Sequence, residues 1–572
     1  MDLLSTQKMR PLKDYVLGQT TEYTMKRHYA WLLGLSLLVF GHVSAQPWDW
    51  VLSSHRSGPA PFSDNRVTDM VVNASGNVFV VGNYTGGIGF LHLDVTGGVV
   101  SPFFVRLDTN GIPIWLKNAQ SPSSVMAAKA IAVDQHDNTV SAGDFANIAL
   151  FDTHQIQTTT NNFDGWFAKM DPNGNWLWAK GFGGDSLDRG DAVAIDVNDN
   201  IYAGGTFSKV AHFDTINVAA VGKVDGYLVK LSPSGEIGWV RTCFGPGEEY
   251  IHKIVPTASG NIYVAGSFED TATIFGQQLI APLATRGQNF IAKLDALGNT
   301  LWVQAVGCPT YASGHQEIQF DIDLADNVYF AADGYTECYY DQISISNPGR
   351  VTYYGKLDVN GNVQWLKHDS YGNANPQHVQ FMRGIAVADN GDAIVTGYAA
   401  SLGTVDFCNP FALPINSYFT IHSDAAGNCV CFEKFKHFSY LMRITDDEMW
   451  LAGEYFYELE LDPFYLQAID SNDVEAFVGH RPRNCVPFVS VEEKGPATQL
   501  LAYPNPSDGN FWVNPLGESF DRLRVHDALG RLVVDTFLHP TLPTKVSELP
   551  VGIYLLEAVG PEMLRTRVVV QK

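Results

Sequence analysis

Three stretches of the chain gather side chains able to do chemistry. Asp185, Asp188, Arg189 and Asp191 stand close together, as do Glu248, Glu249, Tyr250 and His252. His368, Tyr371, His378 and Arg383 form a looser third group. Two carboxylic acids facing one cleft can protonate and attack a glycosidic bond. The same mixture of acid, base and aromatic ring can hold a glycan or a peptide without reacting. Asp188, Arg189, Glu248, Tyr250, His378 and Arg383 are therefore the candidate binding residues, and no catalytic residue is assigned.

Other chemistry finds little support. No Gly-x-Ser-x-Gly, His-Glu-x-x-His or phosphate-binding Gly-rich Lys-Ser/Thr loop occurs. The sixteen histidines do not recur at one spacing, so no repeated metal ligand set is expected. Seven cysteines leave at least one unpaired, and Cys429 and Cys431 are too close for an easy mutual bridge. Acidic phrases such as Asp134–Asn138, Asp196–Asn200 and Asp321–Asp326 have some likeness to calcium loops. They lack the full ligand spacing and the downstream bidentate Glu. Tight turns account for them, so no metal site and no cofactor are assigned, with Ca²⁺ kept as the alternative.

The elements that carry these groups follow from a repeat. An Asn-aliphatic-aromatic-aliphatic-small-Gly phrase occurs at Asn77–Gly82, Asn138–Gly143, Asn200–Gly205 and Asn261–Gly266. Weaker copies are Asn327–Ala332, Asp392–Gly397 and Glu448–Gly453. A second phrase carries Trp50, Trp115, Trp178, Trp239, Trp302 and Trp365, with Phe432 in the seventh slot. A fixed period of about 62 residues marks a repeat architecture. Each unit reads as four strands, A to D; in the third they are Ala192–Asp196, Asn200–Gly205, Gly226–Leu231 and Ile237–Arg241. Turns rich in Asp, Asn, Pro and Gly join them.

Four antiparallel strands repeated radially make a β-propeller. The chain enters on a D-type strand, Pro47–Leu52, and leaves the array on a C-type strand, Glu475–Val478. Pairing the two closes seven blades and places Trp50 in the blade of Gly453. The A–B and C–D turns are short, whereas the D–A and B–C connections are long and emerge together on one rim. Phrases in the B–C connections, such as Ala211–Asp214 and Thr404–Phe407, read as excursions that extend this rim. The repeated Trp reads as core.

Composition agrees with an all-β chain. Charged residues are 17% of the total, below the roughly 25% of ordinary soluble domains. Aromatic residues reach 12%, and there are 52 glycines among 572 residues. The net charge of −24 repels phosphate backbones, so nucleic-acid binding is not expected.

Residues 1–45 read as an N-terminal lead and signal peptide. Lys26, Arg27 and His28 precede an apolar run, Ala30–Phe40, and Val43-Ser44-Ala45 supplies small residues for cleavage before Gln46. No later segment is long and apolar enough for a transmembrane helix, so none is expected in the mature chain. The propeller is assigned to 46–486 and a polar linker to 487–499. Residues 500–572, rich in short alternating strands, read as an immunoglobulin-like β-sandwich.

Two resemblances follow from these phrases. The Asn-Ile-Tyr-Val-Ala-Gly and Asp-x-x-Gly-Asn-x-x-Trp patterns resemble bacterial seven-bladed propellers of SBBP-type repeats. The C-terminal segment resembles the type A C-terminal sorting domain of the type IX secretion system. Tyr503, Pro504, Asn505, Pro506, Gly509, Gly530, Gly552 and Tyr554 carry the second likeness, with the closing Val568-Val569-Val570-Gln571-Lys572. That resemblance implies contact with the secretion machinery through 500–572 and a place outside the cell or on the outer-membrane surface. The expected protein is a monomer that binds a glycan or a protein. An extracellular polysaccharide hydrolase or lyase, and a structural surface component, are the alternatives.

Overall fold

A computed structural model of the chain describes residues 48–483 and 502–570, apart from stretches in the connections, of which 308–317 and 371–379 are the longest. The leader, the linker, His378, Pro504, Asn505, Pro506, Gly509 and Gly530 lie outside the described residues.

Among the described residues every regular element is a strand, and the propeller strands form seven four-stranded antiparallel units. Blade 3 is typical: A is Arg189–Ile195, B is Ile201–Phe207, C is Asp225–Leu231 and D is Ile237–Phe244. Strand B is buried along its whole length because neighbouring blades cover both of its faces. This is why it reads as an unbroken run of apolar and small residues rather than an alternation. The cores lie between blades. Phe79 and Phe104 of blade 1, for example, pack with Met126 and Trp166 of blade 2. Each large apolar side chain buried this way contributes about 1.5–3 kcal/mol.

The A strands adjoin one another right round the ring, from blade 1 to blade 7 and back to blade 1. The closing contact is made by Trp50–Arg56, which pairs with strand C of blade 7, Val474–Pro482. Trp50 stands opposite His480, and Ser53 opposite Phe477, whose other neighbour is Gly453. The N-terminal strand thus supplies the missing D strand of the last blade.

The B–C excursions differ from the expectation. Each blade carries a small hairpin there, such as Val210–Phe213 with Ile216–Ala219. In blades 1 to 4 these hairpins do not extend the rim; they lie along strand D of the preceding blade. Gly183 pairs with His212, Cys243 with Ile274, Ser54 with Phe90, and Gln120 with Leu150. The reason is the open edge of strand D, whose unpaired amides and carbonyls need a cover.

On the opposite face the short turns repeat one construction. Asp171 accepts from the backbone N–H groups of Asn173 and Asn175, each at 2.8 Å, and from the Asn175 side chain at 2.9 Å. Asp295, Asp358 and Asp424 do the same for their own turns, and Asp108 accepts the two backbone bonds, from Asn110 and Ile112. The repeated Trp reaches the C–D turn of the next blade. Trp115 Nε1 donates to Pro172 O at 3.0 Å, Trp302 to Val359 O at 3.1 Å and Trp50 to Thr109 O at 3.1 Å. Gly111, at φ 75°, lies under the Trp50 ring, and a Cβ there would come within 2.4 Å of it. The repeated Trp is therefore an inter-blade staple more than core: Trp115 is buried, the other five are half-buried at the core's edge, and Trp239 Nε1 alone makes no such bond among them.

The C-terminal unit has a three-stranded and a four-stranded sheet sharing one core of Phe511, Val513, Leu523, Val525, Leu556 and Val570. Tyr554 is buried there, and its hydroxyl donates to Pro550 O at 2.8 Å. Gly552 opens the same strand, Gly552–Val559, and Tyr503 pairs with Trp512. Among the cysteines, Cys243 is free and buried, and Cys429 and Cys431 are each in a disulfide.

Candidate functional site on the long-connection face

Each A strand enters the ring from the long D–A connection. In five blades it carries a one-residue bulge at the same register: Thr68, Lys129, Asp191, His252 and Arg383. A bulge re-aims its side chain. Here it gathers charged groups on the innermost strands, next to the long connections. Lys129 Nζ contacts Asp191 at 2.7 Å and Asp144 at 2.5 Å. Burial alone would depress this ammonium, but the two carboxylates outweigh it and hold its pKa above the usual value.

Blades 3 and 4 bring the candidate residues together. Tyr250 donates to Glu248 Oε2 at 2.8 Å and stacks on His252, with ring centroids 6.0 Å apart. Burial and Glu248 push the Tyr250 phenol above its ordinary range, while the nearby Arg189 guanidinium opposes that shift. His252 Nε2 lies 2.9 Å from Ser267 Oγ. Arg189, Glu248, Tyr250 and His252 are all half-buried, so one edge of the group meets solvent.

Beneath them are two pairs of buried acids. Asp188 is 0% exposed and accepts from the Gly184 and Ser208 N–H groups at 2.9 and 3.2 Å. Burial, with a smaller push from Asp164, raises its pKa to about 7. Glu249, also 0% exposed, is raised to about 8 by burial and by Asp225. Asp225 in turn accepts from Val221 N at 2.8 Å. A glycosidase pair must flank a bond in an open cleft. These acids instead sit under the D–A connections, with Asp164 only 5% and Asp225 0% exposed.

Of the six candidates, then, Arg189, Glu248 and Tyr250 form one group, and Asp188 is buried beside Arg189 in sequence, bonded to Gly184 and Ser208. Arg383 is exposed on blade 6, at the bulge register of the same ring. Sequence reading passed over Asp164, Asp225, Lys129 and Asp144. The first two carry a signal, since Asp-Gly-aromatic opens strand C in both blade 2 and blade 3. In the acidic turns Asp134 and Asp196 have their oxygens engaged, whereas Asp199 Oδ1 is buried without a hydrogen bond. Asp134, near His136 and Asp199, accepts from His136 N, Asn138 N and the Asn138 side chain, and lies 3.1 Å from Lys169 Nζ.

Comparison with known proteins bears on both units. Over 160 residues the chain is 28% identical to an uncharacterized WD repeat-containing protein of Acanthamoeba polyphaga mimivirus; the match spans 25% of this chain and 12% of that protein's length. Among solved structures, BamB from Moraxella catarrhalis is similar at 13% identity and a TM-score of 0.33, over 74% of this chain and 99% of that one. A lignostilbene dioxygenase of Pseudomonas brassicacearum gives 11% and 0.35, over 74% and 95%. A Bacteroides caccae protein of unknown function gives 10% and 0.29, over 60% and 94%. No helix among the described residues is long and apolar enough to cross a membrane. Residues 501–571 match the secretion system C-terminal sorting domain, which directs this β-propeller protein to the cell surface or the extracellular space.

Proposed function

We propose that the exported propeller is a binding protein and that its long-connection face holds a glycan or protein ligand. The observation that supports this is the meeting of Arg189, Glu248, Tyr250 and His252 from two neighbouring blades, half-exposed above acids that are closed to solvent. An aromatic ring beside a guanidinium and a carboxylate offers stacking, donors and acceptors to one polar ligand, the mixture found at recognition surfaces. Arg383 on blade 6 offers a second, separate contact across the ring. In this reading the chain acts as a monomer, and the sorting domain delivers it.

The test is a glycan and polysaccharide array, with a pull-down from surface extracts, on the exported chain. Binding of an intact ligand, weakened at least about tenfold by Tyr250→Ala or Arg189→Ala, is the expected result. Shortened products would replace the reading with a hydrolase or lyase. Binding that neither substitution alters would move the site off blades 3 and 4.

A further inference from the structure

The A strands adjoin one another right round the ring, so their inner edges enclose a central channel. Two registers of these strands bring charge to it. They are the positions paired with the fifth and the third residue of each Asn-to-Gly phrase of strand B. Most of these positions hold Gly, Ala, Val or Leu, and Gln319 is polar. The charged ones are Asp69 in Arg66–Val72 of blade 1, Lys253 in Tyr250–Pro256 of blade 4, Asp321 in Gln319–Ile322 of blade 5 and Arg443 in Leu441–Ile444 of blade 7. Lys253 interacts electrostatically with Arg443 and Asp69 as well as with Asp321. Blade 4 lies across the ring from blades 7 and 1, so these charges meet over the axis.

Three of the four are answered by protein groups. Asp69 accepts from Met70 N at 2.8 Å and from Ile131 N of blade 2 at 3.0 Å, and Arg443 Nη2 donates to it at 2.9 Å. Arg443 Nη1 donates to Met442 O at 2.9 Å. Asp321 accepts from Ile322 N and from Val387 N of blade 6, each at 3.0 Å. Lys253 is the exception. Its ammonium makes no hydrogen bond and no ion pair with any described residue, and the Phe320 ring lies 5.7 Å from it. Burial, with a smaller push from Arg443, disfavours its charged form and lowers its pKa, although Asp321 and Asp69 oppose the shift. Lys253 is only half-buried, so the solvent of the channel reaches it. An ammonium has three donors and no acceptor, and a charge held among protein groups without a partner is costly.

We propose that the central channel is a binding site for a small carboxylate anion, held by the Lys253 ammonium and faced across the axis by the Arg443 guanidinium. The anion supplies the acceptor that no protein group gives Lys253, and it lies between two cations that otherwise repel each other. Asp69 and Asp321 limit its charge. Two carboxylates beside the axis penalise a dianion such as phosphate more than a singly charged carboxylate. The site is separate from the rim group and uses none of Arg189, Glu248 and Tyr250.

The test is calorimetric titration of the exported chain with acetate and, separately, with phosphate, at one ionic strength, paired with thermal unfolding. Acetate should occupy one saturable site per chain and raise the midpoint by about 3 °C at a hundredfold excess over Kd. Phosphate should bind at least about tenfold more weakly. Lys253→Met keeps the stem and removes the charge. It should abolish the response to acetate and should itself raise the midpoint in acetate-free buffer, because an unanswered charge has gone. Lys223→Met, at a lysine whose side chain is 70% exposed, should leave the response intact. A parent chain that binds neither anion would overturn the proposal without recourse to any variant. Acetate binding that survives Lys253→Met would overturn it too, as would tighter binding of phosphate than of acetate. So would a Lys253→Met midpoint that falls, because the field of Asp321 and Asp69 would then suffice for the ammonium.

Discussion

The two faces of the propeller treat their charges in opposite ways. On the short-turn side nearly every acid is answered: by backbone N–H groups at Asp171 and Asp358, by Lys169 at Asp134, and by Arg106 at Asp137. Hydrogen bonds hold the Asp171 and Asp358 carboxyls below the usual range even though burial pushes the other way. On the long-connection side of blades 2 to 4, Asp188 and Glu249 are buried beside other acids and carry raised pKa values. The periodic face spends its polar groups on holding blades together. The aperiodic face stores groups that folding alone does not require, and residues that differ from blade to blade collect there.

The largest expected effect tests the periodic face. Trp115→Ala removes a ring that is 8% exposed and its bond to Pro172 O, so it should cost about 3–5 kcal/mol in a denaturant titration. Trp115→Phe keeps most of the ring and loses the bond, so it should cost only about the 0.5–1.5 kcal/mol that a single hydrogen bond contributes. No loss in the Phe variant would mean that the staple contributes nothing beyond packing.

The acids give the comparison a sign. A carboxyl raised from about 3.8 to about 7, such as Asp188, stays protonated in the fold while the unfolded chain ionises. Stability is therefore lost as pH rises from about 4 towards 7, and for Glu249 towards 8. Glu433 behaves oppositely. It is half-buried, but His422 and Arg481 beside it lower its pKa to about 2, so its contribution disappears as pH falls from about 4.5 towards 2. The double variant Asp188→Asn, Glu249→Gln should gain about 2–4 kcal/mol at pH 8 relative to pH 4. A parallel shift at both pH values would show that these acids ionise freely in the fold.

The smallest effect belongs to the exposed ring position. Arg383→Ala should change stability by no more than about 0.5 kcal/mol while altering ligand retention on the array. A large loss of stability would move Arg383 from the binding face to the scaffold.

Much of the scaffold was legible because its physics repeats. The third unit was expected at Ala192–Asp196, Asn200–Gly205, Gly226–Leu231 and Ile237–Arg241. The strands found are Arg189–Ile195, Ile201–Phe207, Asp225–Leu231 and Ile237–Phe244. The misplaced ends fall towards the long connections, where pairing with a neighbouring hairpin prolongs strand D beyond its own apolar run. The course of the B–C hairpins was not legible. Their partner is an edge of the previous blade, and no local pattern names a partner in another unit. The site was legible in part: Arg189, Glu248 and Tyr250 stand out by residue type. The bulge that aims Lys129 and Asp191 is a property of strand register that one chain segment cannot reveal.

The last strand of the ring has a mechanical consequence. The chain leaves the propeller through Val474–Pro482, which is flanked on one side by Glu448–Phe456 and on the other by the N-terminal strand. Tension applied along the axis of this strand acts between two neighbours. The ladders on both sides then carry the load in shear, many bonds at once, rather than unzipping one by one. A ring closed by its own beginning is thereby anchored best at the point from which it would be tethered.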